Sequence, residues 1–335
     1  MKGRIYLMQQ RDNYFDNLRG FLITCVIIGN SLEYIYPTSV NPHYLILFLY
    51  MFHMPLFTFI SGYFCKKSSR TTQQKVIDTT KIYLGAQIFY FLFNRFIMER
   101  TVKFQFFYPS WTLWYLLALI AWYIISDYIH NYKRAIIISV ILSLLVGFDG
   151  SIGSYASISR IFFFLPFFIA GMAFKKDVFI EKFKKYTIPL GIAVLVVSVI
   201  LFIFRNITEV DFLFEYSDYT FFTESALHPF LVRIFHYIGG FTMCYFLLLI
   251  FTNKKTIFTW LGKNSLYLYL FQAAVIQLFT KLDYPILKYN NWIQLIISEL
   301  IILISIIVVS YIYIKIKKRI LIYKNNNSVD ITKSS

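Results

Sequence analysis

Charge is scarce in this chain, and the scarcity decides its class. Only 15% of the 335 residues are Asp, Glu, Lys or Arg, where a soluble domain carries about a quarter. Hydrophobic residues make up 58% and the mean hydropathy is +0.60. A soluble globular fold is thereby excluded, and an all-α, polytopic integral membrane bundle is expected. Cysteine is scarce too. Cys25, Cys65 and Cys244 all lie in apolar stretches, with no CxxC and no disulfide framework, and read as inert core residues. No HExxH, no Cys/His cluster, no GxxxxGK(S/T) and no GxSxG occurs, so no metal site is expected, and neither P-loop ATPase nor soluble-hydrolase chemistry has support. No shift in composition marks a second domain.

What the chain has is aromatic and aliphatic length. It holds 27 Tyr and 37 Phe, as suits lipid-facing surfaces and their interfaces. Ten apolar segments are read as spans, at about 18–36, 43–64, 80–98, 111–129, 134–149, 158–174, 186–204, 229–251, 258–280 and 292–314. Basic residues test that count. With the N-terminus cytoplasmic, most of the 33 Lys and Arg fall in inner segments, and each inner loop holds at least two. Examples are Lys66, Lys67 and Arg70, then Lys133 and Arg134, then Lys182, Lys184 and Lys185. Both termini are therefore expected to be cytoplasmic. The first span follows Lys2, Arg4 and Arg11 without a small-residue cleavage site, and is expected to stay as a helix. Residues 1–320 read as one transmembrane domain and 321–335 as a disordered polar cytoplasmic tail. The net charge of +16 needs no nucleic-acid partner, because juxtamembrane clusters facing an anionic leaflet account for it.

The first span carries Asp16, Arg19, Asn30 and Glu33. Residues three, eleven and fourteen apart return to one helix face, so the four form a single polar stripe. Such a stripe lines a cavity or pathway; the simpler reading puts its two ends in the interfaces and buries only Asn30. His53 lies in the second span, in LYMFHMPLFTFISGYF. Counted from opposite faces, Asn30 is about 18 Å deep and His53 about 15 Å. The two come to similar depth on antiparallel neighbours and can face one cavity; the alternative is a histidine satisfied by a backbone carbonyl. Arg160 either snorkels to the outer interface or lines an outer mouth. Trp111 and Trp114 belong either to an interfacial belt or to a platform that stacks on a sugar ring. The outer loop at about 205–228 carries Glu209, Asp211, Glu215, Asp218 and Glu224 with Tyr216 and Tyr219. It reads first as a solvated loop, and second as a lid over a polar substrate. His43, His130, His228 and His236 receive no role.

Five motifs in order, FDNLRGFLI, FHMPLFTFISGYF, SWTLWYLLAL, RIFFFLPFFIAGM and LGKNSLYLYLFQ, make the chain resemble the acyltransferase family 3 of bacterial membrane proteins, in its fucose 4-O-acetylase-like branch. The resemblance covers nearly the whole chain. It implies a multi-pass bacterial cell-membrane O-acyltransferase that moves an acyl group, usually acetyl, from cytoplasmic acyl-CoA to a hydroxyl of an extracytoplasmic saccharide or cell-envelope glycan. Acyl-CoA is then the donor substrate, with no permanently bound cofactor. Exopolysaccharide or cell-wall biosynthesis proteins are the expected neighbours. The family's Arg, followed after ten residues by His, falls here on Arg19 and Asn30, and Gln272 stands where the last motif often ends in His. An amide cannot accept a proton at neutral pH. The expected assignment is therefore His53 as base, with Glu33 polarising it and Asn30 orienting. Arg19 would hold CoA phosphates, while Arg160, Trp111 and Trp114 would bind the acceptor. The alternative is an inactive relative that binds or moves a lipid-linked or polymeric saccharide. A small-molecule transporter fits less well, since clear repeats and Gly/Pro-broken helix pairs are lacking.

Overall fold

The computed structural model describes residues 13–35, 41–152, 155–221, 225–282 and 291–333, without the side chains of residue 321 and of 324–333. Lys2, Arg4, Arg11 and Glu224 lie outside the described residues. Among those described, all regular structure is helical. The chain runs through α1 (Asn13–Tyr34), α2 (His43–Tyr50), α3 (His53–Lys67), α4 (Thr72–Leu92), α5 (Trp114–Ser126), α6 (Tyr132–Val146) and α7 (Ile158–Ala173). It continues through α8 (Lys176–Phe183), α9 (Thr187–Phe204), α10 (Val210–Phe214), α11 (Leu227–Ile250), α12 (Ile257–Lys263), α13 (Ser265–Lys281) and α14 (Trp292–Lys333). The backbone of α14 continues through the segment expected to be a disordered tail, whose side chains are largely outside the described set.

Five described stretches are long and apolar enough to cross a membrane: His43–Lys67, Tyr155–Ala173, Lys176–Phe204, Leu227–Ile250 and Trp292–Ile320. The remaining expected segments are also helical but shorter, more polar or interrupted. The ninth breaks at Asn264, whose N–H bonds back to Trp260 O and Leu261 O. The second breaks at Met51–Phe52, where Phe52 leaves helical geometry at φ −132°. Pro55 follows in the first turn of α3, where a missing N–H costs little. An unbroken apolar run hides this interruption from the sequence.

Two crossings fix the bundle, and both are backbone against backbone. A Cβ on Gly62 would lie 1.9 Å from Phe168 O, and one on Gly171 1.8 Å from Phe59 O, which locks α3 to α7. Gly20 and Gly262 make the equivalent joint between α1 and α12. Small residues allow such approach where lipid supplies no hydrophobic drive between helices. Gly62→Val is expected to abolish the α3–α7 joint and to leave little monodisperse protein in detergent size-exclusion profiles. A Gly62→Val protein that elutes and melts as wild type would refute the joint's importance.

Candidate active site

One cavity of about 400 Å³ gathers side chains from five stretches far apart in sequence. Asn30 and Glu33 come from α1, Tyr50 from α2, and His53 and Met54 from α3. Trp111, Thr112 and Trp114 arrive at the start of α5, Arg160 and Phe164 from α7, and Tyr269 from α13. The loop around α10 adds Asp211, Phe214 and Tyr216. Six of the seven residues given a site role from the sequence therefore share one space, namely Asn30, Glu33, His53, Arg160, Trp111 and Trp114, and Asp211 and Tyr216 of the acidic loop join them.

His53 opens α3 and is 2% exposed. Its Nδ1 lies 2.6 Å from Leu49 O, a carbonyl near the end of α2 that also accepts from Phe52 N–H at 3.3 Å. A carbonyl only accepts, so Nδ1 carries the proton and Nε2 keeps its lone pair. The backbone thereby fixes the tautomer that a general base requires. The same carbonyl satisfies the histidine, so both readings of His53 from sequence meet in one hydrogen bond.

Glu33 does not orient His53. Its Oε2 lies 2.6 Å from Tyr50 Oη, which is also 3.0 Å from Asn30 Oδ1, so one phenolic proton serves two acceptors. The Tyr50 ring in turn stands edge-on to the His53 ring, with centroids 4.7 Å apart. Glu33 thus reaches His53 only through a tyrosine that the sequence did not bring forward. Asn30 Nδ2 donates to Gln272 Oε1 at 3.3 Å. These two amides, 242 residues apart in sequence, are each other's partners. Gln272 Nε2 has no hydrogen-bond partner among the described residues.

Arg160 does not snorkel away from the bundle. Its Nε donates to Phe214 O at 2.7 Å, and its guanidinium carbon sits 4.7 Å from the Trp114 ring centroid and 5.4 Å from that of Tyr216. Trp114 stacks on Phe164 with centroids 5.3 Å apart, and Trp111 lies 4.9 Å from Tyr34. Both tryptophans are cavity walls in this fold.

The acidic loop departs from its simpler reading. Asp211 and Tyr216 face the cavity, and burial holds the Asp211 carboxyl above the usual carboxylate range. Glu215, which adopts a left-handed φ of 56°, turns the other way and is buried. Its carboxylate meets Arg233 Nε at 2.5 Å and His236 Nδ1 at 3.1 Å. Arg233 also donates to Ser143 O at 2.9 Å. A charge in an apolar interior must find such partners, and here the partnership ties the loop to α11. Sequence reasoning missed this network, although Arg233 and His236 stand three apart in an apolar span and so share a helix face. That spacing was the available signal.

Arg19 lies elsewhere. It pairs with Asp16 Oδ1 at 2.7 Å and sits 4.9 Å over the Phe64 ring. It lines a second cavity of about 370 Å³ with Ser61, Arg70, Asp78 and Tyr123 among others. The polar stripe of α1 thus serves two spaces, because Arg19 and Glu33, fourteen residues apart, are separated by about 21 Å of helix.

Five helical stretches long and apolar enough to cross a membrane, in a chain of mean hydropathy +0.60, mark a membrane protein. Its family is shown by sequence comparison: the acyltransferase-domain model matches residues 12–315, and the chain belongs to acyltransferase family 3. Over 56 residues it is 48% identical to nodulation protein NolL of Mesorhizobium japonicum. That stretch is 16% of this chain and 15% of the relative, so the match spans a small part of either protein. No solved structure matches.

Proposed function

We propose that this protein is a membrane O-acyltransferase. It moves an acyl group, acetyl in the simplest case, from acyl-CoA in the Arg19 cavity to a saccharide hydroxyl in the His53 cavity. The observation that carries this reading is His53, a buried imidazole whose tautomer is fixed by Leu49 O inside a cavity walled by tryptophan and arginine. In this reading ten spans place both termini in the cytoplasm, so that donor and acceptor enter from opposite faces. Trp111 and Trp114 stack on the sugar, and the guanidinium of Arg160 donates to its oxygens. His53 Nε2 takes the proton of the acceptor hydroxyl as its oxygen attacks the thioester carbonyl. The C–O bond forms, the C–S bond breaks, and the departing thiolate recovers the proton from His53. The Asn30–Gln272 amide pair favours a second reading, binding of a saccharide without turnover, because neither amide can relay a proton.

Membranes given labelled acetyl-CoA and envelope glycan separate the two. Transfer predicts base-labile label on the glycan, and binding alone predicts none. Arg19→Ala is expected to raise the apparent KM for acyl-CoA by roughly 10–100-fold, from the loss of one charge-assisted contact. An unchanged KM would remove Arg19 from donor binding.

A further inference from the structure

The two cavities meet at a wall one side chain thick. Val26, Met54 and Tyr269 line both of them. On α1, Ile23 faces only the Arg19 cavity, Val26 faces both, and Asn30 faces only the His53 cavity. On α3, which runs the opposite way, His53, Met54 and Phe57 repeat that order in reverse. On α13, Leu266 faces the Arg19 cavity and Tyr269 faces both. Three helices thus change sides at one level.

The three wall residues differ in freedom. The Tyr269 hydroxyl donates to Thr112 O, which pins the ring. Val26 is branched at Cβ and stiff. Met54 is unbranched and packs against both of the hydrophobic clusters that border it. It is the adaptable member, and it directly follows His53 in the chain.

We propose that Val26, Met54 and Tyr269 form an acyl gate, which admits the thioester end of the donor to His53 and restricts the acyl group to acetyl or a chain of similar length. The proposal rests on the acyltransferase reading above. With CoA on one side and the acceptor hydroxyl on the other, the bond exchange takes place at this wall. Carbons beyond the carbonyl must then lie within the wall or in the space the saccharide occupies. An apolar slot discriminates roughly 10–200-fold per methylene, so the side-chain volume at Val26 and Met54 sets the limit.

The test uses the full-length protein in nanodiscs with acetyl-, butyryl- and hexanoyl-CoA. Wild type is expected to prefer acetyl-CoA, and Met54→Ala and Val26→Ala to raise the butyryl-to-acetyl ratio of kcat/KM by about tenfold or more. A second readout does not need turnover. In sealed vesicles of a variant lacking native cysteines, Ser61→Cys should react with a small membrane-impermeant thiosulfonate only from the Arg19 side. Adding Met54→Gly should open it to reagent from the other side as well. An active wild type whose chain-length preference survives both alanine substitutions overturns the gate and leaves the acyltransferase reading standing. Ser61→Cys labelling from both sides with Met54 intact also overturns it. A wild type inert toward every acyl-CoA overturns the acyltransferase reading, and with it the gate, while one-sided labelling would still establish the wall.

Discussion

His53→Asn is expected to remove acyl transfer, with a loss of about 10²–10⁴-fold in kcat and little change in folding. Asparagine is the informative replacement. Its amide nitrogen is bonded to Cγ, as Nδ1 is, so it can still donate to Leu49 O. What it lacks is a basic atom at the Nε2 position. The measurement is glycan acylation at matched protein levels, beside a thermal melt in detergent. A variant that melts normally and transfers within tenfold of wild type would take the base role away from His53. A variant that melts far lower would show that the histidine is needed for the α2–α3 break, and Gly62-type folding assays would then report the defect directly.

The second large effect concerns stability. Arg233→Met is expected to lower folding stability by about 3–5 kcal/mol, because it leaves the Glu215 carboxylate buried without its closest cation. Arg233 is 3% exposed and contacts Glu215 at 2.5 Å, so solvent offers little relief. The double variant Glu215→Gln/Arg233→Met should recover much of the loss, since replacing a buried pair is far milder than breaking one. Unfolding in detergent measures both. If Arg233→Met costs less than about 1 kcal/mol, the loop is not held by this network.

Helices and cavity were unequally legible in the sequence. Apolar runs are long in this chain, and a helix is one of the few structures a bilayer tolerates, so nearly every expected segment is helical. The α1 stripe was readable from the helical period alone, and the depth count brought Asn30 and His53 to one cavity. The break at Met51–Phe52 was not readable, because both residues are as apolar as their surroundings. Nor was the Asn30–Gln272 pair, which joins distant parts of the chain, although each position stood out by its departure from the family's histidines. The loop failed for another reason. Acidic loop residues are usually solvated, and only three-dimensional packing distinguishes Glu215, turned inward to Arg233, from Asp218 beside it. Arg19 shares that face of α1 yet lines a separate cavity, since periodicity fixes angle and says nothing of where one space ends and another begins.

The glycine joint between α3 and α7 bears on how the His53 cavity can change its width. His53 rides on one of these helices and Arg160 on the other, and their backbones touch at Gly62 and Gly171. Imidazole and guanidinium are therefore mounted on a single rigid frame whose width cannot adjust by side-chain repacking. A bulkier occupant is accommodated instead by walls outside that frame, among them the Asp211–Tyr216 loop and the segment from Tyr108 to Thr112. If the cavity takes a saccharide acceptor, as proposed, divergence in preference among relatives should concentrate in those walls, with the helical frame kept constant.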